Sequence, residues 1–269
     1  MNVSSLGFRT DLALLTASGS VVEDRGTHLV VRTPDNPTYY WGNFILLAGP
    51  PVPGGEREVV GAFHTEFPEA RHVSIGIDTP DLTPEARAAF ESAGLVVDVA
   101  SVLTASELQP PREVEAEVRP LQSASDWESR ARLSLAIEER DDEESHMRFA
   151  RGRNVQEQSL IEAGRGARFG VLVDNEVVST AAVFTTEEGV ARFQSVETHS
   201  DHRRKGLAAA AVHAAGRYAL EHLGARTLVI VADDDGEAIG IYRRLGFADA
   251  ERQLMLERRH GGTQASLDR

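Results

Sequence analysis

Short apolar runs alternate with stretches of helical apolar spacing along the chain, and this pattern predicts strands that alternate with helices. In the second half, the predicted strands cover 114–120, 168–174, 176–185, 190–198, 227–232 and 250–257. The predicted helices there cover 123–139, 147–162, 207–222 and 237–245. The resulting order, β-α-α-β-β-β-α-β-α-β, predicts an α/β fold in which helices flank a mixed sheet.

The first half also alternates strands with helices. Strands are predicted at 28–32, 41–48, 71–77 and 95–103, and helices at 10–17, 57–67 and 84–94. The pair Pro110-Pro111 then interrupts both patterns, as is typical of a linker between domains. We therefore predict two domains, 1–108 and 114–258, followed by a flexible tail at 259–269.

The composition is that of a globular protein. The 269 residues are 41% hydrophobic and 26% charged, and they include no cysteine. No apolar run reaches the roughly 20 residues that span a bilayer, and residues 1–10 lack the apolar core of a signal peptide. We therefore expect a cytoplasmic protein with no membrane partner, no disulfide framework and no thiolate metal site.

The chain is strongly acidic, with a formal net charge of −14. This charge argues against nucleic acid as a partner, because binding to a phosphate backbone needs a basic face. It favours cationic small molecules or basic peptides, although acidity that only maintains solubility is the alternative. The histidines show no ligand spacing, so we expect no metal.

A basic glycine turn lies between a predicted strand and a long Ala-rich helix. It reads Arg203-Arg204-Lys205-Gly206-Leu207-Ala208. Backbone N–H groups at a helix N-terminus lack intrahelical acceptors, and the helix dipole there favours negative charge. Glycine lets the backbone approach a ligand closely, and the three cations add Coulomb attraction. The turn therefore predicts a site for a ligand that carries phosphate.

Two motifs in the second half resemble those of a known family. Arg203, Gly206 and Ala208 match the pattern Gln/Arg-x-x-Gly-x-Gly/Ala, and residues 238–247 match Ala-x-x-x-Tyr-x-x-x-Gly-Phe. Together with the elements between them, these motifs make residues 190–247 resemble the GNAT superfamily of N-acetyltransferases. The resemblance implies a GNAT-like acyl-CoA acyltransferase fold and acetyl-CoA as cosubstrate. It also implies direct acetyl transfer to a primary amine of a small molecule or peptide.

The resemblance implies which residues bind the cosubstrate. The backbone of Val196 and Thr198 would pair with the pantetheine arm, as an added strand does. The pyrophosphate would be surrounded by Arg203, Arg204, Lys205, Gly206, Leu207 and Ala208. Asp235 stands where the family often has Asn. Because an ionised Asp can only accept hydrogen bonds, it either contacts the cosubstrate or caps the next helix.

Acetyl transfer needs a proton donor and a proton acceptor. The resemblance implies that Tyr242, a neutral phenol at pH 7, protonates the leaving thiolate; packing of its ring under the sheet is the alternative. Glu197, beside the acetyl site, is our candidate for the base that deprotonates the acceptor amine. His199 and a water chain are other candidates, and Glu197 can instead be a strand residue that faces solvent.

The acidic stretch 138–144 joins the first two helices of the second half. In members of the family this region borders the acceptor site, so an acidic rim would attract a cationic acceptor. A solvated loop is the alternative interpretation.

Residues 71–103 echo residues 226–257. In both, a strand ends in Asp, a helix follows, and a glycine and an apolar residue precede the last strand. Phe90 and Tyr242 stand at the same place, four residues before that glycine, and residues 49–63 show no phosphate loop. We interpret the first half as a degenerate GNAT-like domain without a cofactor, which leaves one cofactor site in two related domains.

Two other functions stay open on the sequence. One is a non-catalytic module that binds acyl-CoA or a partner, and the other is a transferase that uses a different acyl-CoA. Dimers are frequent in proteins of this kind, so a homodimer also stays open.

Overall fold

The computed structural model describes residues 1–36, 39–52, 54–137, 142–234 and 236–258. They divide into two compact units. Among the described residues, the first comprises Met1–Val102 and 250–258, and the second comprises Leu103–Asp249.

The described residues form seven α-helices and eleven strands. The helices are α1 Leu6–Ala17, α2 Glu56–Glu66, α3 Pro84–Ser92, α4 Ala124–Ile137, α5 Glu143–Glu162, α6 Leu207–His222 and α7 Ile239–Arg244. The strands are β1 Val21–Asp24, β2 His28–Arg32, β3 Phe44–Leu47, β4 Val73–Ile77, β5 Val96–Ala105, β6 Glu117–Pro120, β7 Gly166–Val173, β8 Glu176–Glu187, β9 Val190–Thr198, β10 Thr227–Asp233 and β11 Ala248–Arg258. No helix in these ranges is both long enough and apolar enough to cross a lipid bilayer.

The first unit contains the strand order β1-β2-β3-β4-β11-β5. Neighbouring strands from β1 to β3 are antiparallel, β3 and β4 are parallel, and β4 and β11 are antiparallel. Phe63 of α2 and Phe90 of α3 pack with aliphatic strand residues in its core. The helix α3 begins where the sequence predicted, because the Thr83 hydroxyl accepts a hydrogen bond from the Ala86 N–H at 3.2 Å.

The second unit contains the strand order β10-β9-β8-β7-β6. Among these neighbours, as far as the structure describes them, β9 and β10 are parallel and the other three pairs are antiparallel. The strands β7 and β8 form a hairpin that turns at Asp174 and Asn175. Both residues have positive φ, as a two-residue turn with the twist of the strands requires. The predicted mixed sheet with flanking helices is thus confirmed.

Helices cover both faces of this sheet. Val171 packs with α6 residues such as Ala211 and Ala215, whereas its neighbour Leu172 packs with Trp127 of α4. Because successive strand residues point to opposite faces, α6 and α4 lie on opposite sides. Alternating burial along the strands therefore fixes where each helix packs.

Some element boundaries differ from the prediction because side chains bind the backbone. The helix α1 begins at Leu6 and not at residue 10, since the Ser5 hydroxyl accepts a hydrogen bond from the Phe8 N–H. The predicted strand 41–48 is a strand only from Phe44. Before it, the Asn43 amide side chain bonds to backbone groups on both sides of the preceding loop and holds a turn.

The last strand belongs to the first unit. From Ala250 onward, β11 pairs antiparallel with β4, for example at Leu254–Ile77 and Leu256–Ile75. The domain predicted at 114–258 includes this strand, because the strand follows the other elements of that domain along the chain. The predicted relatedness of the two domains concerns their ancestry and stays a prediction.

Candidate active site

The strands β9 and β10 run side by side over only three residue pairs. Val190 pairs with Thr227, Ala191 with Leu228, and Arg192 with Val229. Both strands continue beyond this point, to Thr198 and Asp233. Beyond the third pair, the carboxyl-terminal parts of β9 and β10 are therefore not paired with each other. A gap between the carboxyl ends of parallel strands is a usual place for a ligand in an α/β sheet.

A β-bulge interrupts the other side of β9. Gln194 pairs with Ala182 and Glu197 with Thr180, so two residues of β9 stand opposite one residue of β8. The first of the two, Ser195, has a φ of +46°, which is strained for a residue other than glycine. Its carbonyl accepts a hydrogen bond from Arg168 at 3.2 Å, and its hydroxyl accepts one from Arg153 at 2.8 Å. Two arginines thus hold the backbone of β9 in its bulged shape.

The loop before α6 has the geometry of an anion cradle. Arg204 and Gly206 adopt left-handed φ values of +62° and +86° around Lys205. Such alternation turns successive N–H groups toward one side. No side chain caps the start of α6 at Leu207, so its first backbone N–H groups are available to a ligand. The three basic side chains of the loop are exposed.

A groove of about 1410 Å³ lies beside β9, this loop and α7. The predicted site residues that the structure describes all line it: Val196, Glu197, Thr198, Arg203, Arg204, Lys205, Gly206, Leu207, Ala208 and Tyr242. The remaining one, Asp235, lies outside the described residues.

Other parts of the lining were not singled out from the sequence. They include Arg112, Ser134 and Ile137 of α4, and Arg244 of α7. No local motif marks these positions, because tertiary packing alone brings them to the groove.

Tyr242 is both a core residue and a groove residue, while its role as a proton donor stays a prediction. It is 4% exposed and packs in the core, with its ring 6.3 Å from that of Phe247, yet it also lines the groove. Burial raises the pKa of its phenol above the ordinary value, and the negative charge of Asp233 raises it further. The phenol is therefore protonated at neutral pH and can donate a proton or a hydrogen bond into the groove.

The acetyltransferase (GNAT) family model matches residues 122–247. Residues 122–247 therefore belong to the GNAT acetyltransferase family. The match covers the cradle, the bulged strand and Tyr242, and it confirms the family predicted from the two motifs. We call this segment the GNAT domain.

Solved structures with the same fold cover nearly the whole chain. A GCN5-related N-acetyltransferase from Kribbella flavida is 22% identical with a TM-score of 0.65, and the match covers 96% of this chain and 98% of that one. A conserved protein of unknown function from Staphylococcus epidermidis is 13% identical with a TM-score of 0.71, covering 89% and 93% of the two chains. A tandem GNAT protein from the clavulanic acid biosynthesis pathway is 13% identical with a TM-score of 0.56, covering 94% and 89%. These likenesses confirm the predicted fold class, and no curated protein sequence matches the chain.

Glu197 is an ion-paired groove residue. Its side chain is 12% exposed, and its Oε1 lies 3.2 Å from Nη2 of Arg130, which is 1% exposed. The side chain therefore does not face open solvent, which argues against the interpretation of Glu197 as a solvent-facing strand residue. An ion-paired carboxylate must give up part of this contact to take a proton, and its role as base stays a prediction.

A buried charge network supports the bulged strand of the GNAT domain. Arg130 also donates to Asn154 of α5 at 2.9 Å. Arg168, fully buried, makes two hydrogen bonds to Glu157 of α5, at 2.5 and 2.7 Å. Burial disfavours the charged form of Glu157, but the positive charges of Arg168 and Arg130 outweigh it and hold its pKa well below the usual range. The same Arg168 binds the Ser195 carbonyl, so α5 positions the bulge through charged hydrogen bonds.

The other candidate base, His199, has a local structural role. Its Nδ1 accepts a hydrogen bond from the Asp201 N–H at 3.2 Å and so caps the turn Ser200–His202. Nδ1 cannot take up an amine proton while it accepts this bond, and the role of His199 as base stays a prediction. Of the two histidines, His202 is the one in the groove lining.

Two further predictions concern residues around the site. In the acidic stretch 138–144, residues 138–141 lie outside the described residues, while Glu143 and Glu144 begin α5 and are exposed. Their effect on an acceptor stays a prediction. In the described part of the chain, no three His, Cys, Asp or Glu side chains converge as a metal site requires.

The parallel strands of the first unit do not separate as β9 and β10 do. β3 and β4 stay in register to Leu47 and Ile77, and the Asp78 N–H continues the ladder with a 2.9 Å bond to the Leu47 carbonyl. The Asp78 carboxylate in turn accepts hydrogen bonds from the backbone of Ser4 and Ser5 at 2.7 and 2.8 Å. The start of α1 thus covers the strand end that would correspond to the open one in the GNAT domain.

Proposed function

We propose that this protein transfers an acetyl group from acetyl-CoA to a primary amine of a small molecule or peptide. The observation that carries the proposal is a single groove that contains both an anion cradle and a buried tyrosine. The family of residues 122–247 supports acetyl transfer as the chemistry.

The groove fits the chemical groups of coenzyme A. The left-handed residues Arg204 and Gly206 and the uncapped start of α6 suit a pyrophosphate, because backbone N–H groups bind its oxygens and the helix dipole favours its charge. The strand edge at Val196 and Thr198 suits the amides of a pantetheine arm, which can bind as an added strand does.

Each residue has one task in the proposed reaction. Acetyl-CoA supplies the acetyl group as a thioester. The acceptor nitrogen forms a bond to the acetyl carbon while the carbon–sulfur bond breaks, and one proton leaves the nitrogen and one reaches the sulfur. The Val196 N–H polarises the carbonyl, Tyr242 donates the proton to sulfur, and Glu197 or water accepts the amine proton.

The bulge at Ser195 supports this assignment of Val196. Two residues of β9 oppose one of β8 there, so the strand cannot keep its regular ladder through both. Arg168 and Arg153 bind Ser195 at this bulge, so the backbone beside Val196 is held in place, as a preorganised donor to a carbonyl requires.

A release assay for CoA thiol tests the proposal. The full-length protein is incubated with acetyl-CoA or other acyl-CoA donors and a panel of small amines and peptides. We expect thiol release that requires both acetyl-CoA and an amine.

The other outcomes separate the alternatives. Release with another acyl donor but not with acetyl-CoA would identify a different acyltransferase. Binding of acyl-CoA without release for any amine would support a non-catalytic module. Absence of both binding and release would contradict the proposal.

A further inference from the structure

Positive charge is concentrated at the groove although the chain is acidic. Five Arg or Lys side chains line it in the described residues, against two carboxylates, Glu197 and Glu237. The whole chain has a net charge of −14. Three of the five cations belong to the cradle loop, and the other two are Arg112 and Arg244. The cradle motif does not account for these two arginines.

Arg112 comes from the segment 109–114, which runs along the groove beside the cradle. At one end, the Gln109 N–H donates a 2.9 Å hydrogen bond to the Leu245 carbonyl at the end of α7. At the other end, Val114 Cγ1 lies 3.5 Å from the position that a Cβ on Gly206 would occupy. Two residues span at most about 7 Å of chain, so the backbone of Arg112 is close to the cradle.

This segment is suited to present a side chain rigidly. Pro110 and Pro111 line the groove, and their rings fix φ. The Arg112 side chain is exposed, and no carboxylate pairs with it within the described ranges. Its guanidinium is therefore available to a ligand.

Arg244 reaches the same groove from α7. Its neighbour Arg243 pairs with Asp249 at 2.9 Å, whereas Arg244 has no ion pair among the residues that the structure describes. Nη1 of Arg244 lies 3.5 Å from the position that a Cβ on Gly240 would occupy, one turn earlier in the helix. The guanidinium thus folds back along α7 over a residue that has no side chain.

We infer that Arg112 and Arg244 form a second anion subsite, which binds the 3′-phosphate of the adenosine of coenzyme A. The inference rests on the proposed function. Coenzyme A carries two separate anionic groups, a pyrophosphate and a 3′-phosphomonoester, and the cradle accounts for the first. Guanidinium groups match phosphate oxygens with two parallel N–H donors, and two of them from different elements can enclose a monoester.

The position of Arg112 favours the phosphate over a carboxylate on the acceptor. Its segment lies beside the cradle, since Val114 Cγ1 is 3.5 Å from the position that a Cβ on Gly206 would occupy. By contrast, Glu197, the candidate base, pairs with Arg130 of α4, and α4 supplies Ser134 and Ile137 to the groove lining. The subsite therefore makes donor recognition depend on the 3′-phosphate.

A comparison of two ligands with two arginine variants tests the inference. CoA and 3′-dephospho-CoA, which differ only in the 3′-phosphate, are titrated calorimetrically into the full-length protein. We expect the wild type to bind CoA at least about tenfold more tightly. In the double variant Arg112→Ala, Arg244→Ala, we expect the two affinities to agree within about twofold, with the affinity for 3′-dephospho-CoA little changed.

Arg243→Ala is the matched control, because it removes an adjacent arginine of the same helix whose charge is already paired. It should keep the full preference for CoA. Equal binding of both ligands by the wild type, or a preference that survives in the double variant, would overturn the inference and leave the proposed function standing. If the wild type binds neither ligand, the proposed function fails, and this inference with it.

Discussion

Among single residues, Tyr242 makes the most specific chemical contribution to the account. A phenol is already protonated at neutral pH, and burial raises its pKa further, so Tyr242 can serve as a proton donor there. We expect Tyr242→Phe to lower kcat by about 100-fold or more, which is the usual contribution of a general acid. The affinity for acetyl-CoA should change less than about twofold, because the ring and its packing are kept.

Tyr218→Phe is the control for this variant. Tyr218 lies on α6, where its ring contacts Phe169 and His222, and it is not part of the groove lining in the described residues. Its kcat should equal that of the wild type. If Tyr242→Phe retains full turnover when chemistry limits the rate, Tyr242 has no role as an acid.

Glu197→Gln tests the predicted base. Glutamine keeps a hydrogen-bond acceptor for Arg130 but cannot take up the amine proton. We expect kcat to fall by about 100-fold while the affinity for acetyl-CoA stays within about twofold. Thermal unfolding of the same variant shows whether loss of the charge also destabilises the fold. A kcat equal to that of the wild type would assign the proton to water.

Glu157 should make the free energy of unfolding depend on pH in a direction that its lowered pKa determines. Burial opposes its ionisation, but Arg168 and Arg130 lower its pKa from 4.5 to about 2. A lowered pKa stabilises the folded state above the unfolded pKa, and this stabilisation is lost as the pH falls from about 5 toward about 2. We expect Glu157→Gln to lower the free energy of unfolding at pH 7 by about 3 kcal/mol, because it leaves Arg168 buried without its counter-ion.

Urea unfolding at a series of pH values measures this effect. The slope of stability between about pH 5 and pH 2 should be shallower in Glu157→Gln than in the wild type. Glu144→Gln, which alters an exposed i,i+4 pair with Arg148, should change little. Equal stability of wild type and Glu157→Gln at pH 7 would contradict the network described here.

At the scale of elements, α6 offers a comparison between its two ends. Gly206 before its start and Gly224 after its end have φ values of +86° and +67°, and a Cβ would meet no close contact at either. Substitution by alanine at either position should therefore destabilise the folded protein by a similar amount, about 1–2 kcal/mol, through backbone strain. Only at Gly206 do the backbone N–H groups face the proposed pyrophosphate site.

We therefore expect Gly206→Ala to weaken binding of acetyl-CoA by about tenfold or more, and Gly224→Ala to leave it unchanged. Calorimetric titration measures both affinities, and thermal unfolding confirms that the two variants lose similar stability. Equal affinities in the two variants would show that the cradle does not bind the cosubstrate.

Local motifs made part of this site predictable. The cradle residues 203–208 and Tyr242 were assigned from short patterns, because the shape of a turn and of a helix start depends on neighbouring residues. The left-handed φ of Arg204 and the bulge at Ser195 could not be read from the sequence, since neither residue type favours that conformation. Arg130 and Arg112 come from distant segments and carry no local signal.

At the scale of the whole chain, the order of elements predicted the mixed sheet of the second half but not the unit to which the last strand belongs. The second-half pattern ended in a strand, and nothing in its alternation showed that β11 would pair with β4 of the first unit. Pairing between strands remote in sequence depends on tertiary packing. The closed strand end at Asp78 was likewise missed, although the absence of a phosphate loop in the first half was recognised.

The two units lead to different expectations for binding. The GNAT domain separates β9 from β10 after three pairs, whereas β3 and β4 of the first unit stay paired to their ends. Backbone hydrogen bonds to Asp78 cover that closed end. The protein should therefore bind the cosubstrate in one place per chain.

Titration of acetyl-CoA into the full-length protein by calorimetry tests this central claim most directly. The account predicts saturable binding of one acetyl-CoA per chain. A stoichiometry of two per chain would contradict the assignment of a single site, and the absence of binding would contradict the proposed function itself.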